Sequence, residues 1–234
     1  MKTCMALLMM LSLLAGPVEE VSPAPGAGWQ ETVEAVLTAD TEEEVCTAAR
    51  TLLDWAASGE TCQSEQVAQL LEEKKADAVE AALRYAAVLD AADALLETGE
   101  ASVEAETYQA AARALVPLFT RLLERETPPW QWEAAAYPKT LEDFEGIWCD
   151  GVLKELLIFR NGKCRVVIPY LDYYGETAHT ARLRDRSELD YCPALEVDTY
   201  DSGDFSGALT YYVSGLAEDH FWCNTQRQRF ERVA

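Results

Sequence analysis

FEGIWCDGVLKELLIFRNGKCRVVIPY, residues 144–170, sets a Gly-x-Trp, an Asp-Gly, an Asn-Gly and two cysteines among alternating apolar residues. Asn161-Gly162 is a strong hairpin signal, because a two-residue type I′ turn requires positive φ at both central positions. Such a turn fixes the pairing: Phe159 opposes Cys164, Leu157 opposes Val166, and Glu155 opposes Ile168. Side chains alternate across a strand, so Leu157, Phe159, Cys164, Val166 and Ile168 share one face. Leu156, Ile158, Arg165 and Val167 take the other face, which is therefore only partly polar. If Asp150-Gly151 is a second two-residue turn, Trp148 opposes Leu153 on the Phe159 side and Cys149 turns away. Cys149 and Cys164 then point to opposite faces, which argues against a bridge between them.

The same alternation continues downstream in HTARLRD, YCPALEVDTY, GALTYYVSG, DHFWCN and QRFERV. β-branched and aromatic residues broken by turn signals read as strands. With each strand beside its sequence neighbour, the meander closes most simply into an up-and-down barrel, which removes exposed edges. Residues 141–234 form this small antiparallel barrel. Eight strands leave an interior that side chains just fill, or that holds one small ligand. The inward set of Trp148, Leu157, Phe159, Val166 and Ile168 is bulky, and favours a filled core.

Gly146-Ile147-Trp148 on the first strand, a following β-meander and an arginine near the end resemble the lipocalin and related calycin pattern. The resemblance covers residues 144–234. It implies that Trp148 plugs the closed end of the barrel and that Arg229 or Arg232 packs across its ring. It also implies an alternative function, the carriage of one small apolar ligand.

Upstream, from Trp29 to about Glu126, the chain is rich in Ala, Leu and Glu, a helix-forming composition. Thr41-Glu42-Glu43-Glu44 is a capping box, and Ser58-Gly59 ends the helix it begins. From Ser64 to Leu96 apolar residues recur at steps of three and four as one continuous stripe, which Gly99 stops. A further helix spans about Ser102 to Arg125, bent near Pro117. Short connections predict an antiparallel bundle over residues 27–127. Tyr85 and Tyr108 read as core; Glu72, Glu73 and Asp77 read as a solvated face. Pro128, Pro129 and Pro138 forbid a continuous helix, so residues 128–140 are a Pro/Trp-rich linker pinned by Trp130 and Trp132. The expected fold class is α+β: a helical bundle, then a barrel.

MKTCMALLMMLSLLAG has the form of a secretory signal peptide, residues 1–26, with Ala24-Pro25-Gly26 as the cleavage region. Its apolar run is too short to span a bilayer, and no later segment is long and apolar enough for stable membrane insertion. Cys4 falls in this leader. The remaining Cys46, Cys62, Cys149, Cys164, Cys192 and Cys223 make an even set, which in an exported chain predicts disulfides. Cys46 and Cys62, alone in the helical half, are natural partners if the loop after Gly59 runs back. The net charge is −22, and residues 27–136 carry 22 acidic against 7 basic side chains. Such a surface repels nucleic acid phosphates and anionic membranes, so no nucleic acid partner is expected and anionic membranes are poor partners.

Catalytic signatures are sparse. There is no GxSxG, HExxH, P-loop or Rossmann glycine pattern. His220 and Cys223 are close in DHFWC, but a nucleophile needs a free thiol, which the disulfide reading denies. His179 reads as a strand residue. Asp198, Asp201 and Asp204 are spaced irregularly for a calcium loop, and an acidic turn explains them as well. No cofactor is expected. Tyr170, Tyr173, Tyr174, Tyr211 and Tyr212 are candidates for contact with a ligand or partner, since tyrosines are rigid and amphipathic. Half of them are equally suited to filling the barrel. The function read from these features is a secreted, disulfide-stabilised, non-enzymatic binding or adaptor protein with a protein partner. The alternatives are the small-ligand carrier and a secreted hydrolase using two facing carboxylates.

Overall fold

The computed structural model describes residues 28–126, 135–184, 192–201, 204–223 and 228–234, with backbone alone for 199–201 and 204–206. The expected leader, residues 1–26, and Trp130 and Trp132 of the expected linker lie outside the described residues.

The helical half contains α1 (Trp29–Thr38), α2 (Glu42–Ser58), α3 (Ser64–Lys74), α4 (Ala78–Glu97), α5 (Ala105–Ala114) and the single turn α6 (Pro117–Thr120). The capping box opens α2: the Glu44 amide donates to Thr41 Oγ1 at 3.3 Å and the Thr41 amide to Glu44 Oε2 at 2.9 Å. Gly59 ends α2 at φ 71°. The stripe beginning at Ser64 is two helices, not one. Lys75 takes φ 53°, and Asp77 caps α4 by accepting the amides of Val79 and Glu80 at 2.9 and 3.0 Å. Asp77 therefore begins a helix instead of decorating one, and the Lys-Lys-Ala-Asp run is a break that periodicity alone passes over. The last helix breaks before Pro117, as its missing donor requires, and continues as α6 and a 3-10 turn, Arg121–Glu124. Tyr85 and Tyr108 are both core. The Tyr85 hydroxyl donates to the Ala112 carbonyl at 2.8 Å and that of Tyr108 to Asp93 at 2.9 Å.

The second half is a closed barrel. Its strands are β1 (Gly146–Asp150), β2 (Glu155–Arg160), β3 (Lys163–Ile168), β4 (Tyr173–Tyr174), β5 (His179–Arg184), β6 (Ala194–Asp201), β7 (Asp204–Leu216), β8 (His220–Cys223) and β9 (Gln228–Arg232). Eight form an antiparallel ring in chain order, β1-β2-β3-β5-β6-β7-β8-β9, and β9 returns to β1; β4 is a short addition to β3. Around the Asn161-Gly162 turn, φ is 54° and 74°, and Phe159 opposes Cys164 and Leu157 opposes Val166. The turn at Asp150 differs from the expected one. It spans four residues, because Asp150 Oδ1 accepts the amides of Val152 and Leu153 at 2.9 and 3.0 Å and Lys154 takes φ 58°. Trp148 consequently opposes Leu157 and not Leu153. The displacement is four residues, an even number, so Trp148 keeps its face.

The two faces of β1–β3 have different partners. Trp148, Leu157, Phe159, Cys164, Val166 and Ile168 are in the barrel core. Ile147, Cys149, Leu156, Ile158 and Val167 point outward, yet they are buried in the same apolar core as the helices. The helices thus cover this wall, which explains why its outer face is only partly polar. Arg165 is the charged member of that face and is 2% exposed. Its Nη2 lies 2.7 Å from both Asp90 Oδ1 and Asp93 Oδ2 on α4, while Arg160 Nε meets Asp90 Oδ2 at 2.9 Å. Two carboxylates per buried guanidinium offset the desolvation that an isolated charge would suffer there.

The expected set of disulfides is not formed. Cys46, Cys62, Cys149, Cys164 and Cys223 are not joined to one another. Cys149 faces the helices and donates to the Leu122 carbonyl at 3.7 Å, whereas Cys164 and Cys223 lie inside the barrel. Cys62, expected opposite Cys46, instead donates to the neighbouring Gln63 carbonyl at 3.3 Å. An even count set the expectation, but it does not place the sulfurs: strand alternation turns Cys149 toward the helices and Cys164 and Cys223 inward, and the two inward thiols are not bonded. Burial holds these thiols protonated: Cys149 is pushed up to about 12, Cys62 to about 11, and Cys164 and Cys223 higher still.

Candidate functional site

Among the described residues, the barrel interior and a groove where the helices meet the sheet have the character of a site. The interior begins at Gly146. This residue takes φ 125°, a conformation suited to glycine, and an added Cβ would run into the carbonyl oxygen of Ala234. The Ala234 carbonyl accepts the Ile147 amide at 2.8 Å, so the glycine lets the chain end close against β1. Trp148 then turns inward, and its indole N–H donates to the Phe144 carbonyl at 2.6 Å. The Arg232 guanidinium lies 4.4 Å from the centre of the Trp148 ring and donates to the carbonyls of Glu145 and Asp143, each at 3.0 Å. Arg229 takes a different position, 5.3 Å over Trp222.

From that end a column of rings runs along the interior. Phe144 and Phe221 meet edge to face at 5.3 Å, Trp148 and Phe221 at 5.0 Å, Phe221 and Phe230 stack at 4.8 Å, and Phe230 meets Tyr211 at 5.7 Å. These separations are those of aromatic side chains in direct contact. All five residues are at most 4% exposed. The rings occupy the space in which a barrel of this strand number would otherwise hold a small ligand.

The column finishes in polar groups. The Tyr211 hydroxyl and the Gln228 side-chain N–H both donate to the Glu155 carboxylate, and Cys223 Sγ lies 3.5 Å from Gln228 Oε1. Asp150, the register partner of Glu155, is 2% exposed and lies beside Gln228. Desolvation raises the carboxyls of both Asp150 and Glu155 above the usual carboxylate range, although the hydrogen bonds to each act the other way. Sequence reasoning did not single out these acids. The signal was present in the alternation: Glu155 is two residues before Leu157, and Asp150 two after Trp148, so both share the inward face.

The five candidate tyrosines separate. Tyr211 is interior and Tyr212, adjacent to it on β7, is half-buried on the opposite face. Tyr173 Oη lies 2.5 Å from His179 Nε2, and burial pushes the phenol up to about 12 and the imidazole down. Tyr170 is 65% exposed, and Tyr174 lines the groove. His220 and Cys223 do not form a pair. Cys223 points into the barrel with Phe221, while His220 packs against Trp222 on the outside and contacts Asp219 at 2.7 Å. Asp198 and Asp201 are on β6 and Asp204 begins β7, so the three are spread along a hairpin instead of one loop; the side chains of the latter two lie outside the described residues. Among the described residues no group of three His, Cys, Asp or Glu side chains is arranged to hold a metal ion. No helix among them is long and apolar enough to cross a membrane.

The groove has a volume of about 560 Å³ and runs between the start of α3, the end of α5 and the corner that joins β3 to β4. Ala114, Pro117, Pro169 and Tyr174 are among its apolar lining residues, and Cys62 and Glu65 also line it. Neither a family model, nor a curated protein, nor a solved structure matches the chain.

Proposed function

We propose that this chain is an exported, non-enzymatic binding or adaptor protein, in which the barrel serves as a rigid scaffold and recognition takes place on the outer surface. The observation that carries this reading is the continuous column from Phe144 to Tyr211, which leaves the barrel axis to side chains. Carriage of a small apolar ligand would need that column displaced. The Trp148–Arg232 stack is compatible with a lipocalin-like shell, one whose ligand space has been given over to core. The acids Asp150 and Glu155 support a structural role, because Glu155 is already occupied by Tyr211 and Gln228 and both acids are buried. Export rests on the leader pattern at residues 1–26.

Native mass spectrometry of the protein purified from its own source tests the reading. The expected native mass equals the denatured mass. A reproducible small-molecule excess that vanishes on denaturation would replace this reading with that of a carrier.

A further inference from the structure

We propose that the groove between α3, α5 and the β3–β4 corner is the docking surface for a basic segment of another protein that presents aliphatic or proline side chains; this deepens the binding-protein reading and rests on it. The groove combines an apolar floor with an acidic surround. Ala110, Ala114, Pro117, Pro169 and Tyr174 supply small or flat apolar surfaces. Next in the chain after Pro169, Tyr170 and Leu171 are 65% and 58% exposed, so two large apolar side chains adjoining a lining residue stand in water. Large apolar groups left exposed together mark interaction surfaces more often than single ones do.

Charge identifies the occupant. Among the described residues that line the groove, Arg113 is the one cation, and Glu176 neutralises it at 2.6 Å. Glu65 lines the groove, and Glu60 is near enough to Cys62 to act on its thiol. Asp172 accepts the Tyr174 hydroxyl at 3.0 Å. Among the described residues no basic side chain forms an ion pair with Glu60, Glu65 or Asp172, on a chain whose net charge is −22. Such a field attracts cationic segments and repels anionic ones. It also opposes a second copy of this chain, which is equally acidic. A proline or aliphatic side chain would enter the floor between Pro117 and Tyr174, while flanking arginines would reach Glu65 and Asp172.

The probe is a fluorescein-labelled nonapeptide of three Arg-Leu-Pro repeats, titrated with the full chain and read by fluorescence anisotropy. Its counterpart carries glutamate in place of arginine. The arginine peptide is expected to bind and to weaken about tenfold as salt rises through the range that screens surface charge; the glutamate peptide is expected not to bind. Ala110 and Glu65 are both exposed, so Ala110→Arg and Glu65→Lys leave the fold intact. Each should weaken binding, Ala110→Arg by about tenfold or more through like charge and lost space. Failure of the arginine peptide to bind overturns the proposal. So does equal binding by wild type and Ala110→Arg, which would assign the affinity to the acidic surface at large. Loss of the binding-protein reading itself would show as a small-molecule adduct in native mass spectrometry, an outcome separate from this titration.

Discussion

Where Phe144, Trp148 and Arg232 meet, the barrel ends in rings and a guanidinium held by two backbone carbonyls. Where Asp150, Glu155, Tyr211 and Gln228 meet, it ends in acids withdrawn from water. The first end is closed by ring packing and by the Arg232 guanidinium laid over Trp148. The second is closed by hydrogen bonds whose strength depends on protonation. The covering segment of the first end carries Asp143, an exposed acid of opposite behaviour. Amides of Lys139 and Thr140 donate to it and hold its carboxyl below the usual range. The same residue type thus responds to pH in two directions within one barrel, according to whether burial or amide donation dominates.

The largest expected effect breaks the packed end. Trp148→Ala removes a fully buried ring and the surface on which Arg232 lies, and should cost about 3–5 kcal/mol in urea unfolding. A cost within the range of an ordinary surface substitution would show that this end does not close the barrel. Next, Glu155→Leu takes the acceptor from Tyr211 and Gln228 and should cost about 1–3 kcal/mol. Glu155→Gln, which keeps an acceptor, should cost less by the same measurement.

The pH response sharpens the contrast. Asp150 and Glu155 keep their protons in the folded state at pH values where the unfolded chain has released them. Their contribution is therefore fully present below about pH 4, the ordinary carboxylate value, and is lost as pH rises through their raised folded values. Asp143 contributes above its ordinary value and loses that contribution on acidification. Urea midpoints across pH 4–8 should consequently fall less steeply for Glu155→Gln than for wild type; parallel profiles would remove Glu155 from the account. The smallest expected effect is that of Arg232→Lys. It keeps the charge but loses the planar stack and one of the two carbonyl contacts, and should cost about 1 kcal/mol by thermal unfolding.

Much of this arrangement could be read from local pattern. The Asn161-Gly162 turn and the alternation around it set the β2–β3 register, and Thr41 and Glu44 announced the start of α2, because such signals act between residues close in the chain. The break at Lys75 was hidden because Leu71 and Ala78, on either side of it, are seven residues apart, which keeps the apolar stripe in phase although Lys74 and Lys75 interrupt it. The groove could not be read at all: Glu65, Arg113 and Tyr174 are far apart in sequence, and no periodicity relates them. Cysteine parity misled for a similar reason, since it counts sulfurs without placing them.

By itself the sequence determined which half of the chain is helical and which is strand, which side of β1–β3 is apolar, and that a meander of such strands should close. These follow from turn geometry and from the periods of two and 3.6 residues, all of them local. Only the tertiary structure decided that the helices bury the outer wall of β1–β3, that Arg165 meets Asp90 and Asp93 across that contact, and that rings fill the barrel to Tyr211. Those outcomes depend on surfaces brought together from distant parts of the chain, where shape and desolvation, not spacing, select the partner.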